Sequence, residues 1–144
     1  MTSEIADDKI HILLVEDNPA DANFTRMVMK RDEIANHIRL HHVPSGEEAL
    51  AFLKKEGSHA GAPTPHAILL DLHLPMMDGR EVLAAIKAAP DLKPIPVVVM
   101  TSSEIHEDIV RSYALMADDY AQKPIGVEAL TKIVTLVHEM KRSR

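Results

Sequence analysis

The sequence predicts an open α/β domain, a single doubly wound unit in which five parallel strands alternate with helices in a (βα)5 order. Three observations predict it. A strand-like run is followed by a helix-like run five times along the chain. Three of those strand-like runs are apolar without a break, the pattern of strands covered on both faces, as in a parallel sheet. The length, 144 residues, suits one ordinary domain with one sizeable core.

The first strand is read in "KIHILLVED" (Lys9 to Asp17), a β-branched and leucine run. The helix after it, "NPADANFTRMVMKRDE", carries Pro19 at a plausible first helical position and Phe24, Met27 and Val28 on one face. "HIRLHHV" (His37 to Val43) alternates as a second strand. Its helix, "SGEEALAFLKKEG", has Ser45 and Glu48 in capping-box spacing and Gly57 as a stop. "HAILLDL" leads into "GREVLAAIKAAP", and "IPVVVMTS" into "EIHEDIVRSYALM". The short "DYAQKP" leads into "GVEALTKIVTLVHEM", where Leu130, Ile133, Val134 and Val137 keep helical spacing. The one linker-like stretch, Glu56 to His66, is too short to separate domains. Residues 1–8 are expected to form a disordered N-terminal tail, 9–140 the folded domain, and 141–144 ("KRSR") a solvated basic tail.

Composition excludes several functions. The longest apolar runs fall well short of the roughly 20 residues that cross a bilayer, and "MTSEIADDK" lacks the basic and apolar regions of a signal peptide. A cytoplasmic protein without a membrane span is therefore expected. Zero cysteines exclude disulfides and thiolate metal sites, and a net charge of −6 disfavours capture of nucleic acid. Among nine histidines, His37 and His41 are four apart on a strand, where that spacing does not bring side chains together, and His41 and His42 point to opposite faces. A zinc site is not expected.

In open α/β sheets, ligands bind outside the carboxyl ends of the strands, where strand order reverses. Those ends carry Glu16, Asp17 and Asn18 after the first strand, Asp71 after the third, Thr101, Ser102 and Ser103 after the fourth, and Lys123 and Pro124 after the fifth. Each has an ordinary alternative: a helix cap for Asp17 or Asn18, a loop hydroxyl for Thr101, a solvated amine for Lys123. Together they point elsewhere. Three acids from two strand ends repel one another unless a cation neutralises them, and a hard, oxygen-seeking ion such as Mg²⁺ suits that set. Lys123 and the Thr101 hydroxyl supply a positive charge and a donor, the equipment for holding a tetrahedral phosphoryl anion. Asp71, ending the apolar run "AILLD", is the candidate nucleophile.

With "VEDN" at 15–18, "DLHLPMMDG" at 71–79, "MTSS" at 100–103 and "YAQKP" at 120–124, the chain resembles the CheY-like receiver domain of two-component response regulators over about residues 9–140. The resemblance implies a flavodoxin-like fold and a signalling role as phosphoacceptor rather than a conventional enzyme. It implies that Asp71 takes a phosphoryl group from a phosphohistidine of a sensor histidine kinase, with Glu16, Asp17, Asp71 and the His73 backbone carbonyl around Mg²⁺. Lys123 would then pair with the phosphoryl oxygens. Thr101 and Tyr120 would act as the switch that reshapes the face made by the fourth helix, fifth strand and fifth helix. The side chains of His73 and Ser103 would tune dephosphorylation. The long loop "KKEGSHAGAPTPHAILLDL", the "DGREVL" helix start and "PDLKPIPVVVMTSS" resemble more closely the stand-alone receivers paired with phytochrome kinases. His73, where such receivers often have Asn, and the tail "HEMKRSR" depart from that subgroup. Downstream, the alternatives are a phosphotransfer protein or a homodimer through the switch face.

Three rivals are weaker. A haloacid-dehalogenase phosphatase needs a second aspartate two residues after the nucleophile, where this chain has His73, and a cap for which no length is spare. A flavin carrier needs donors after the first strand, whereas Glu16 and Asp17 repel phosphate. An adaptor that is never phosphorylated keeps the fold but leaves the Asp71, Lys123 and Thr101 set without a use.

Overall fold

A computed structural model of the chain describes residues 9–31, 37–101, 117–123 and 125–142. Five parallel strands, β1 (Ile10–Val15), β2 (Ile38–Val43), β3 (Ala67–Asp71), β4 (Val97–Thr101) and β5 (Asp119–Gln122), lie in the order β2-β1-β3-β4-β5. The described helices are α1 (Pro19–Arg31), α2 (Gly46–Lys54), α3 (Gly79–Ala88) and α4 (Val127–Arg142), with a 3₁₀ turn at Gly57–His59. The segment read as the fourth helix of the sequence, together with Ser103 and Pro124, lies outside the described residues. None of the described helices is long and apolar enough to cross a membrane.

Every residue of β1, β3 and β4 is buried, as their unbroken apolar runs require. Alternate side chains feed two cores. Leu13, Val15, Ile68, Leu70, Val97 and Val99 meet Phe52, Leu53, Val82, Leu83 and Ile86 of α2 and α3. Ile12, Leu14, Leu69, Val98 and Met100 meet Ala22 and Met29 of α1 and Leu130, Ile133 and Val137 of α4. Each fully buried Leu, Ile or Val contributes on the order of 2 kcal/mol relative to an exposed one. Slipping one strand by a residue would exchange its two faces and break both cores.

Local signals set the helix starts. Asn18 caps α1, its Oδ1 accepting from the N–H groups of Ala20 at 2.9 Å and Asp21 at 3.3 Å. Ser45 caps α2 by accepting from Glu48 N–H at 3.1 Å, but the Glu48 carboxylate pairs with His59 Nε2 at 2.7 Å, so the capping-box spacing is used on one side. Asp78 caps α3 by accepting from Arg80 N–H at 2.8 Å.

Three local expectations are corrected. The stop after α2 is Lys55, left-handed at φ 58°, with its N–H turned back to Phe52 O; Gly57 instead opens the 3₁₀ turn. On α1 the buried residues are Ala22, Thr25 and Met29, while Phe24 and Met27 are 45% and 51% exposed. Ala22 and Thr25 are small enough to bring the helix close to the sheet, and that rotates the larger side chains outward. The last helix continues through Arg142, so it takes in the first residues of the basic "KRSR" run.

Candidate functional site

Because β2 and β3 flank β1 on opposite sides, the strand order reverses between β1 and β3, and the carboxyl ends of those strands border the crevice. The structure brings together there the acids expected from the sequence. Glu16, one residue past β1, is 2% exposed, and Asp71, the last residue of β3, is 3% exposed; Asp17 is exposed. One carboxylate oxygen from each of Glu16, Asp17 and Asp71 falls within a mutual distance of 4.8 Å.

Lys123 follows β5 and is held by its own N–H, which donates to Thr101 O at 2.7 Å. Its ammonium lies 2.6 Å from Glu16 Oε1, 2.6 Å from Asp71 Oδ2 and 3.3 Å from Asp21 Oδ2. Asp71 Oδ1 accepts from the His73 main-chain N–H at 2.9 Å, which orients the carboxylate from the loop side. Glu16 Oε2 accepts from Asn18 N–H at 3.2 Å. Thr101 is buried at the end of β4. Tyr120 is half-buried within β5, opposite Val99, against the core that α2 and α3 cover.

Burial pushes the Glu16 carboxyl up from 4.5 to about 7, and Asp71 beside it pushes the same way; the bonds from Lys123 and Asn18 oppose them. For Lys123, burial opposes the charge, but the hydrogen bonds and charges of Asp71 and Glu16 outweigh it and hold the ammonium protonated above its usual range. Lys123 is therefore the permanent cation of the site, and burial favours the protonated form of Glu16.

This donor set fits a divalent ion. Three hard carboxylate oxygens converge, and the ammonium between Glu16 Oε1 and Asp71 Oδ2 already shows that the pair requires positive charge. Asp21 was missed from the sequence. It stands in the first turn of α1, but only the fold brings it to Lys123, 102 residues away.

Residues 12–135 match the family model described as the response regulator receiver domain. The chain is 45% identical over 123 residues to response regulator Rcp1 of Synechocystis sp., covering 85% of this chain and 82% of the relative. The crystal structure of the Mn²⁺-bound form of Rcp1 superimposes with a TM-score of 0.70 at 41% identity, covering 88% of this chain and 91% of that one. That of the phosphorylated cyanobacterial phytochrome response regulator RcpA gives 0.70 at 40% identity, covering 92% and 91%.

Proposed function

Since the chain belongs to the response regulator receiver family, we propose that it accepts a phosphoryl group on Asp71 from the phosphohistidine of a sensor histidine kinase, a phytochrome, in the cytoplasm. The observation that carries this reading is the setting of Asp71: a buried carboxylate at the end of the central strand, grouped with Glu16 and Asp17 and 2.6 Å from a permanently charged lysine.

A carboxylate oxygen of Asp71 forms the new P–O bond while the donor's P–N bond breaks, leaving the bonding electron pair on the imidazole nitrogen. Mg²⁺, held by Glu16, Asp17, Asp71 and the His73 carbonyl, would neutralise the charge on the phosphoryl oxygens. Lys123 turns from Glu16 and Asp71 to those oxygens, and its protonation across the working pH range makes it a constant partner. The buried Thr101 hydroxyl supplies a further donor from the β4 end. Drawing Thr101 toward the phosphoryl group vacates space beside β4, and Tyr120 turning inward transmits the change to the outer face of β5 and α4. The resemblance to receivers further implies that the side chains of His73 and Ser103 tune the phosphoryl lifetime. The protein thus assists its own phosphorylation and dephosphorylation, and the reshaped face engages a phosphotransfer protein or a second copy.

The test is intact mass after incubation with acetyl phosphate and Mg²⁺. Wild type should gain a phosphoryl group, which neutral hydroxylamine removes; Asp71→Asn, or wild type without Mg²⁺, should gain none. Absence of any gain in folded, Mg²⁺-binding wild type would overturn the reading in favour of an adaptor. Transfer from a phytochrome kinase that differs between red and far-red light tests the input.

A further inference from the structure

Resting on that reading of the acidic site, we propose that His42 is a positioning residue for the cation ligands Glu16 and Asp17. His42 lies in β2 beside Leu14 of β1, and its ring reaches past the end of β1. Nε2 stands 2.7 Å from the Glu16 carbonyl oxygen, and Nδ1 stands 3.2 Å from a guanidinium nitrogen of Arg26 on α1. The partners dictate the tautomer. A carbonyl oxygen only accepts and a guanidinium only donates, so Nε2 carries the hydrogen and Nδ1 is bare.

The bond to Glu16 matters because of where that carbonyl sits. It belongs to the planar peptide unit whose nitrogen is that of Asp17. Fixing the oxygen fixes the rotation of that unit and so the direction in which Asp17 leaves it. The Glu16 N–H is already tied to Val43 O at 3.1 Å, so β2 grips both sides of Glu16. Arg26 in turn is braced by Asn23 Oδ1 at 3.2 Å. The chain α1–Arg26–His42–Glu16 therefore couples helix α1 to the geometry of two cation ligands, and neither Arg26 nor His42 needs to touch the ion. Groups that orient metal ligands commonly change metal affinity by 10- to 100-fold when removed.

The experiment measures Mn²⁺ alone, titrated into the full chain and followed by the paramagnetic resonance of free Mn²⁺, for wild type, His42→Ala, His42→Gln and Arg26→Ala. Gln retains an N–H donor and an oxygen acceptor, so it should restore affinity to within about threefold of wild type, whereas His42→Ala should lose about tenfold. Arg26 is exposed, so Arg26→Ala tests the same chain without threatening the fold, and it should lose about threefold. In phosphorylation by acetyl phosphate, His42→Ala should raise the half-saturating Mn²⁺ concentration by the factor seen in binding and alter the maximal rate less. Long-range ¹H–¹⁵N correlation of wild type should report His42 as the Nε2–H tautomer. Wild-type affinity in folded His42→Ala, a His42→Gln as impaired as His42→Ala, or an Nδ1–H tautomer would overturn the positioning role while leaving the site reading intact. Absence of Mn²⁺ binding by wild type would overturn both.

Discussion

Replacing Gly79 by alanine tests whether the start of α3 and the Asp71 peptide are built as one unit. Gly79 is the first residue of α3, and its N–H donates to Leu72 O at 3.3 Å. A Cβ added there would run into Asp71 O and would lie 2.7 Å from Leu72 Cα and 3.2 Å from Asp71 C, all backbone atoms that cannot swing aside. Ordinary contact begins near 3.4 Å, so the Leu72 contact alone demands a displacement of roughly 0.7 Å. Overpacking of this kind costs about 1–3 kcal/mol, and the better helix propensity of alanine returns at most about 1 kcal/mol. A net loss of about 1–2 kcal/mol is expected, which a domain of ordinary stability survives. Because the displaced peptide carries the proposed acceptor Asp71, phosphorylation by acetyl phosphate should slow by about 10- to 100-fold, the scale of a sub-ångström to 1 Å misplacement. Gly46→Ala is the control. Its Cβ would meet side-chain atoms, Val82 Cγ2 at 2.6 Å and Met77 Cγ at 3.0 Å, away from the acids. It should lose about 1–2 kcal/mol in urea denaturation yet keep the phosphorylation rate within about twofold. A Gly79→Ala protein with wild-type stability and rate, or one slowed no more than Gly46→Ala, would refute the reasoning.

Glu16 should make stability depend on pH in a defined direction. Its carboxyl titrates at 4.5 when ordinary and at about 7 in the folded chain, chiefly through burial, so between those values the folded state keeps a proton that the unfolded state has lost. Stability should therefore fall as pH rises through that window, by about 1–3 kcal/mol, and Glu16→Gln should abolish the fall; parallel urea profiles for the two proteins would contradict it. Lys123→Met removes the ammonium from between Glu16 and Asp71, so Mn²⁺ should bind several-fold more tightly while phosphorylation slows; calorimetry showing unchanged affinity would count against a shared cation position. Asp78→Ala deletes the cap of α3 and should cost about 1 kcal/mol in denaturation, with Asp78→Asn losing much less. The bonds from Arg80 hold the Asp78 carboxyl below its ordinary value of 3.8 despite burial, so this contribution is present above that pH and lost as pH falls further.

Much of the site was legible because parallel strands announce themselves as apolar runs, and residues at their ends converge by topology alone. Glu16, Asp71 and Thr101 are each the residue at or just past such an end, and Lys123 stands just past the short polar β5. What periodicity did not reveal is which side of a helix meets the sheet when apolar residues cover more than one face. On α1 the larger Phe24 and Met27 suggested the core, yet the compact Ala22 and Thr25 occupy it. Asp21 beside Lys123 and His42 beside Arg26 depend on how α1 lies across the sheet, which no local pattern encodes. The turn at Lys55 is a further case, since lysine gives no warning of a left-handed residue.

The parallel sheet order also has a consequence for how the molecule is made. Lys123 lies 52 residues beyond Asp71 and is added by the last strand of the sheet. During synthesis, which proceeds from the N-terminus, Glu16 and Asp71 leave the ribosome well before their ammonium does. Until β5 arrives, Glu16 and Asp71 at the ends of β1 and β3 lack the ammonium that bridges them in the folded chain. The cation of the pocket thus arrives together with the strand that completes the sheet, and a chain cut before β5 would lack both.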